Sequence, residues 1–564
     1  MVILETECQI SAAMMLPAVL VFLLATSALG IPDWWKTSVL YQIYPRSYSD
    51  SDGDGNGDIR GIINHLPYIK SLGVGVVWLS PIYSSPWQDM GYDISNFKDV
   101  HPKYGTLDDV KELIDKSHQQ GMKVFMDFVP NHSSDQHPWF NASRYSVGDA
   151  KDYYVWVNPK GYLGGKPIPP NNWLSNFGGS AWEYDEVRKQ YYLHEFGPYQ
   201  PDLNYRNPKL VEQMKDVLRF WFNLGIDGFR CDTVPHLVED SSFKDEPFLP
   251  GCTDPNNRGC LDHIYTENQP ETYDVLKQFD EMIQKEYNST RYLVLEVYAS
   301  LDKVIKYYQQ QSSPFNFFLI TDFKRDSTAV ELAKVVHDYL QSIPSGMWPN
   351  WVVGNHDQSR VGTRMGEDLI DSMNMLILLL PGTAVTFQGE EIGMTDAYIR
   401  KDQVLDSVGR DPQRSPVQWD STKNGGFSTG DKTWLPLNSN YWRVNVKAET
   451  AKPKSHLSVY KKTLELRRNL KNPTDFKVNT YGKWVAYFKR DSETESYFYV
   501  INLNDREEMI PTSVIGASPT VYIASENAGY SEGNKISEYL VLPPRSSVVL
   551  LAPNKMLNKL LRSA

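Results

Sequence analysis

The chain has 564 residues, 41% hydrophobic and 22% charged, enough apolar material for a large core and more than one domain, and too much for a disordered protein. Its formal net charge of −12 speaks against nucleic acid or an acidic membrane surface as partner, because polyanions are repelled at long range. Neutral partners fit. The 15 Trp and 34 Tyr serve mostly an ordinary core, but they also offer faces on which the C–H side of a sugar stacks.

Residues 14–25 form an apolar run followed by Thr26-Ser27-Ala28-Leu29-Gly30. At this length it predicts a signal peptide, residues 1–30, rather than a membrane span, although Glu5 and Glu7 stand where basic residues are usual. No later segment reads as a transmembrane helix, and the C-terminus lacks the apolar tail of a lipid-anchor signal. A secreted, extracellular protein is expected.

From Trp34 onward, short β-branched and aromatic runs alternate with helical patterns. Candidate strands at 39–44, 74–79, 124–129, 226–232, 292–297, 315–320, 351–354 and 384–388 are separated by helix-period stretches such as 107–120 and 208–224. This alternation predicts a (β/α)8 TIM barrel. A long Asn/Gly/Pro/Trp-rich stretch, 133–204, interrupts it after the third strand and reads as a small inserted subdomain over the barrel mouth. After 475, alternating runs at 484–488, 497–503 and 547–551 predict a C-terminal antiparallel β-domain, 475–564. The barrel would then comprise 31–132 and 205–474.

The loop after the first strand, Asp50-Ser51-Asp52-Gly53-Asp54-Gly55-Asn56-Gly57-Asp58, places oxygen donors at every second position, as in the first nine positions of an EF-hand loop. Its twelfth position is Gly61, not Glu, and no flanking helices are predicted. Four carboxylates so close repel one another without a cation, so the loop predicts a structural Ca2+ held by Asp50, Asp52, Asp54, Asp58 and the Asn56 carbonyl. Cys252 and Cys260 bracket a short loop and are expected to form a disulfide. Cys231 reads as a buried filler, and Cys8 belongs to the signal segment. Sequons at Asn141 and Asn288 are expected to carry glycans. Asn131 matches the same pattern, but it sits in a motif assigned below to the active site, where a glycan would not fit.

Polar groups gather at the C-terminal strand ends, where a barrel of this kind keeps its chemistry. In Gly228-Phe229-Arg230-Cys231-Asp232 the arginine and the carboxylate lie two apart, on one strand face, so Arg230 should hold Asp232 ionised as a nucleophile. Asp89, Tyr92 and Asp93 follow the second strand, and Asp127 to His132 end the third. Glu296 ends the fifth, and Asn355-His356-Asp357 the seventh. Three carboxylates and two histidines, without metal-ligand spacing or a serine or cysteine triad, suit glycoside hydrolysis. Asp232 and Glu296 on successive strands can approach to roughly 5 Å, the separation of a retaining enzyme. Glu296, flanked by Leu295 and Val297, should have its pKa raised as a general acid requires. Asp357 would bind sugar hydroxyls.

With these motifs in view, the chain resembles the α-amylase superfamily of retaining glycosidases, glycoside hydrolase family 13, and within it the secreted α-glucosidase (maltase) branch of insects. The resemblance spans about residues 32–553, and Gln200-Pro201-Asp202-Leu203-Asn204 is similar to a segment marking the oligo-1,6-glucosidase and maltase side. It implies a nucleophile Asp232, an acid/base Glu296 and a transition-state stabiliser Asp357. The terminal glucose would meet Asp89, Tyr92, His132, Phe177, Arg230, His356 and Arg414, with an Asp89–Arg414 pair closing the pocket. Thr233 matches relatives that prefer α-1,4 linkages, and a metal in the loop after the first strand is implied as well. The expected activity is release of terminal glucose from maltose, sucrose or short maltooligosaccharides, with no organic cofactor. A non-catalytic binding or receptor protein on the same scaffold, and an endo-amylase or transglucosidase, are the alternatives.

Overall fold

The computed structural model describes residues 34–553 apart from 474, 516 and 517; the expected signal peptide, with Cys8, lies outside the described residues. Eight strands, β1 (Val39–Ile43), β2 (Val76–Leu79), β3 (Lys123–Phe128), β4 (Gly228–Cys231), β5 (Tyr292–Leu295), β6 (Ser312–Pro314), β7 (Asn350–Val352) and β8 (Thr383–Phe387), form one parallel sheet. Its order is β6-β5-β4-β3-β2-β1-β8-β7. At the β6–β7 seam a side chain spans the gap: Asn350 Nδ2 donates to Pro314 O (2.7 Å) and Asn350 Oδ1 accepts from Asn316 N (2.8 Å). The fold is a (β/α)8 barrel.

One strand departs from the sequence reading. The apolar run 315–320 is not the sixth strand; that strand is the triplet Ser312–Pro314, and Phe318–Thr321 is a short helix. Phe315, Phe317 and Ile320 instead pack with Trp78 and Val352 in an aromatic-rich cluster. Burial of that kind needs apolar side chains but no ladder, which is why hydrophobicity misplaced the strand.

Among the described residues seven longer helices accompany the sheet: α1 (Ile59–Leu72), α2 (Leu107–Gln119), α3 (Pro208–Leu224), α4 (Pro270–Tyr287), α5 (Ala329–Ser342), α6 (Ile370–Leu379) and α7 (His456–Arg468). Their ends follow from local chemistry. Thr106 and Asp109 form a reciprocal capping box on α2. Helix α3 starts at Asn207-Pro208 and stops at Gly225, whose φ of 119° no side-chain-bearing residue adopts cheaply. It buries Leu210, Met214, Val217 and Trp221 along one stripe.

Strand period two sorts the sheet into two faces. On β1, Val39, Tyr41 and Ile43 belong to the large cluster shared with the helices, whereas Leu40 belongs to the second cluster; on β5, Leu293 and Leu295 alternate with Tyr292 and Val294 in the same way. The alternation assigns Gln42, Asp127, Arg230, Asp232 and Glu296 to the face opposite the helices, and sends Cys231 toward them. Residues between β3 and β4 include a three-stranded antiparallel sheet (Trp156–Val157, Gln190–Leu193, Trp182–Asp185) around Trp173 and Trp182. Toward the C-terminus a five-stranded antiparallel sheet contains Val485–Asp491, Glu495–Asn502 and Ser547–Pro553. Among the described residues no helix is long and apolar enough to cross a membrane.

Candidate active site

Arg230 is the hub of the strand-end cluster. Its guanidinium, 3% exposed, pairs through Nη1 with Asp127 (2.9 Å) and with Asp232, and through Nη2 with Glu296 (2.7 Å). Sheet register produces this meeting. Arg230 stands opposite Asp127 on β3, and the ladder runs one residue past the strands, with Asp232 N donating to Phe128 O (2.8 Å) and Glu296 N to Cys231 O (2.9 Å). Asp232 and Glu296 therefore leave adjacent strands at the same height, spanned by one planar cation.

Three buried carboxylates share that cation, so desolvation dominates their protonation. Burial pushes Asp232 up to about 6, with Arg230 opposing and Asp127 and Asp357 adding. Arg230 lowers Asp232 as its pairing requires, but burial outweighs it; the group is still ionised at neutral pH, as expected. Glu296 is pushed up to about 7 by burial, again against Arg230 and with Asp232 and Asp357 adding. Asp357 goes the other way: burial opposes its charge, but the His356 Nε2–H, 3.2 Å from Oδ2, and the charges of Arg414 and Arg410 hold it below the usual carboxylate range. Arg414 Nη2 lies 2.7 Å and Arg410 Nη1 3.5 Å from its Oδ1. Glu296 Oε2 also accepts from Thr233 N (2.9 Å). Thr233 is left-handed (φ 42°, ψ 42°), a strained conformation for a β-branched residue.

The remaining predicted residues form a bonded ring around this centre. Tyr92 Oη donates to Asp127 Oδ2 (2.8 Å) and meets His356 Nε2 (2.7 Å), while Gln42 Nε2 lies 2.8 Å from His356 Nδ1. With an amide N–H on Nδ1, the imidazole proton sits on Nε2. His132 Nδ1 lies 2.8 Å from Asn131 Oδ1, and its Nε2 faces Gln200 Nε2 (3.0 Å). Burial lowers His132 to about 3 and drives His356 far down as well, so both rings are neutral hydrogen-bonding groups.

The partner expected for Asp89 is different in the structure. Asp89 Oδ1 pairs with Arg410 Nη2 (2.7 Å) and its Oδ2 accepts from Gln200 Nε2 (2.9 Å). Arg414, fully buried, bonds His356 O (3.0 Å) and Asp357 behind the cavity. Arg410 also pairs with Asp406 (2.9 Å) and lies 5.4 Å from the Phe177 ring centre. Both arginines belong to one loop segment, and no periodicity distinguishes which faces the cavity. The cavity, about 320 Å3, is lined by Asp232, Glu296, Asp357, Phe177 and Arg410 among others, and by residues that sequence reasoning left out, His236, Arg258 and Glu267 among them.

Outside the cavity, carboxylate oxygens of Asp50, Asp52 and Asp58 lie within 4.8 Å of one another. Asp54 turns away to Lys103 Nζ (2.6 Å), and the Asn56 side chain accepts from Arg46 Nε (2.8 Å). Asp58 doubles as the N-cap of α1, accepting from Gly61 N (2.7 Å). Cys252 and Cys260 are disulfide-bonded, and Cys231 is buried and free. Asn141 and Asn288 are exposed; Asn131 is buried and its Nδ2 donates to His236 O (2.7 Å).

The family model "Alpha amylase, catalytic domain" matches residues 42–474. A salivary alpha-glucosidase of Aedes aegypti is 43% identical over 504 residues, covering 85% of this chain and 87% of that protein. The human amino acid transporter heavy chain SLC3A1 is 38% identical over 84% of this chain and 70% of its own length. The solved structure of the alpha-glucosyl transfer enzyme XgtA superposes with a TM-score of 0.83 at 30% identity, covering 92% of this chain and 99% of that one. By the matched catalytic domain and by identity over most of its length, the chain belongs to the alpha-amylase family, glycoside hydrolase family 13.

Proposed function

We propose that the protein is a retaining, exo-acting α-glucosidase that hydrolyses terminal α-1,4-linked glucose from maltose, sucrose and short maltooligosaccharides. The observation that carries this reading is the pair Asp232 and Glu296, spanned by Arg230 on adjacent strands, with the second held more readily protonated than the first. Kinship alone does not carry it, since a relative at 38% identity is named a transporter heavy chain. A relative named salivary alpha-glucosidase supports the activity.

Asp232 carboxylate attacks the anomeric carbon as the glycosidic C1–O bond breaks, and the departing oxygen takes the proton of Glu296. The resulting glucosyl ester is hydrolysed when Glu296, now a carboxylate, takes a proton from water; the water oxygen bonds C1 and Asp232 leaves. Two inversions return the α-anomer. Asp357, kept anionic, accepts hydroxyls of the terminal glucose and favours developing positive charge. Tyr92, His132 and His356 supply neutral donors and acceptors, and Phe177 an apolar face, for the same ring. The Asp89–Arg410 pair closes the pocket beyond that glucose, which makes the action exo; Arg414 supports Asp357 from behind. Thr233 is the residue we associate with the α-1,4 preference.

Asp50, Asp52 and Asp58 are the groups that would hold a structural Ca2+: an all-oxygen set of three converging carboxylates suits a hard cation, which would neutralise their repulsion. No organic cofactor enters the reaction. Residues 133–204 act as a subdomain at the cavity mouth, contributing Phe177, and 475–564 as a C-terminal β-domain. A relative named as salivary, the Cys252–Cys260 bond and exposed sequons at Asn141 and Asn288 support secretion and glycosylation.

The test is the time course of products from maltoheptaose and from maltose. From maltose only glucose is expected, and from maltoheptaose only glucose and maltohexaose among the early products. Mid-length fragments would replace exo with endo action, and no glucose from maltose, sucrose or isomaltose would remove the catalytic reading in favour of a binding protein.

A further inference from the structure

The ring closed by Cys252–Cys260 is exposed, but one of its side chains turns back to the active-site cavity. The 3-10 turn Arg258–Cys260, started by Asn257 Oδ1 accepting from Gly259 N (3.0 Å), places Arg258 in the cavity wall beside Glu267 and His236. Arg258 Nη2 pairs with Glu267 Oε1 at 2.7 Å; its Nη1 has no partner among the described residues. The Asp89–Arg410–Asp357 network occupies the same cavity, and among the described residues no ion pair joins it to this second polar group.

Position relative to the acid gives the second group a role. Asn268 N donates to Pro235 O (2.9 Å), and Thr233 N to Glu296, so the segment with Glu267 is tied to the turn that holds the proton donor. The leaving sugar must sit where Glu296 protonates its oxygen, beyond the glucose that Asp357 and Arg410 hold. An Arg–Glu pair offers that sugar both a donor and an acceptor.

We propose that Arg258 is a specificity-determining residue that binds hydroxyls of the leaving-group sugar, and that the Cys252–Cys260 bond positions it. The inference rests on the α-glucosidase reading above. The flanks of the ring are held without the disulfide: Leu249 N donates to Cys260 O (2.8 Å) and Asp262 N to Pro247 O (2.8 Å). The Glu246 carboxylate accepts from the backbone N–H groups of Ile264, Tyr265 and Thr266, each at 3.0 Å. Within the ring the backbone is ordered by short local bonds, such as Asn256 N to Asp254 Oδ1 (3.0 Å), and beyond it Arg258 is held by the ion pair with Glu267. Breaking the disulfide should therefore loosen the backbone that carries Arg258, leaving the ion pair to hold it alone, while Glu267 and the catalytic centre stay in place.

The experiment compares kcat/KM for maltose, whose leaving group is a sugar, with kcat/KM for 4-nitrophenyl α-glucoside, whose leaving group has no hydroxyls to bind. The proteins are wild type, Arg258→Ala and the double variant Cys252→Ser/Cys260→Ser. The maltose-to-aryl ratio is expected to fall about tenfold in both variants, equivalent to about 1.4 kcal/mol, through a higher KM for maltose, with competitive inhibition by glucose unchanged. The ratio does not depend on the active fraction, so partial misfolding leaves it alone. An unchanged ratio in Arg258→Ala, with both rates falling together, overturns the inference; loss in Arg258→Ala but not in the cysteine variant overturns the role of the disulfide. A wild type that cleaves neither substrate overturns the α-glucosidase reading and this inference with it.

Discussion

Replacing Glu296 by Gln preserves the shape of the side chain and removes its proton. In the free enzyme the competent form has Asp232 ionised and Glu296 protonated. Burial places the two near 6 and near 7, so kcat/KM for maltose should rise through about 6, peak, and fall above about 7; the limbs belong to the interacting pair. In Glu296→Gln the alkaline limb should vanish, because nothing remains to lose a proton there. The acid limb should stay, since Glu296 is neutral below 7 in the wild type too and Gln leaves the field at Asp232 nearly unchanged. General acid catalysis contributes roughly 10²- to 10⁴-fold, about 3–5 kcal/mol, so maltose turnover should drop by that factor. An aryl glucoside, whose phenolate leaves without a proton, should lose far less. The assay is kcat/KM against pH on both substrates. An alkaline limb that persists in the variant, or equal losses on both, would refute Glu296 as proton donor.

Three further outcomes follow from other contacts. Arg410→Ala removes the partner of Asp89 and one neighbour of Asp357; chromatography of early maltoheptaose digests should show mid-length fragments beside glucose and maltohexaose, and glucose and maltohexaose alone would mean that Arg410 does not close the pocket. Chelation by EGTA should lower the melting temperature of the calcium-loaded protein, by the equivalent of about 2.7 kcal/mol if the ion had been present at 100 times its Kd. Asp52→Asn, which spares the helix cap at Asp58, should abolish that shift; an unchanged response to EGTA in the variant would contradict the site. His456 links α7 to Asp371 on α6 (2.6 Å) and to Glu526 (3.7 Å). Burial works against its charge, but Asp371, Glu526 and Glu449 push it up to about 9. The folded value lies above the unfolded one of about 6.5, so the stabilisation, roughly 3 kcal/mol, is complete below 6.5 and lost as the pH rises through 9. Thermal unfolding of wild type should weaken over that window relative to His456→Gln, and parallel curves would deny the cluster any role.

Much of the site was legible because strand geometry is strict. Residues two apart share a face, so Arg230 and Asp232 had to lie together, and an apolar neighbourhood had to raise Glu296. Helix-period apolar residues likewise placed α2 and α3 within a residue. What stayed hidden depends on contacts without a period. Ser312–Pro314 has too little apolar character to announce a strand, and the phenylalanines beside it fill the interior instead. Arg410 and Arg414 sit four residues apart in one loop, and only the packed structure sends the first to Asp89 and the second beneath Asp357. Asp54 belongs to a regular pattern of oxygen donors, yet Lys103, 49 positions away, draws it off. His236, Arg258 and Glu267 carried no motif at all.

The central claim is double displacement at Asp232 with Glu296 as acid and base. Proton NMR of maltose mixed with the enzyme, read before mutarotation, tests it most directly. α-Glucose should appear first with wild type, and none with Asp232→Asn. β-Glucose appearing first would mean a single inversion and would contradict Asp232 as the nucleophile.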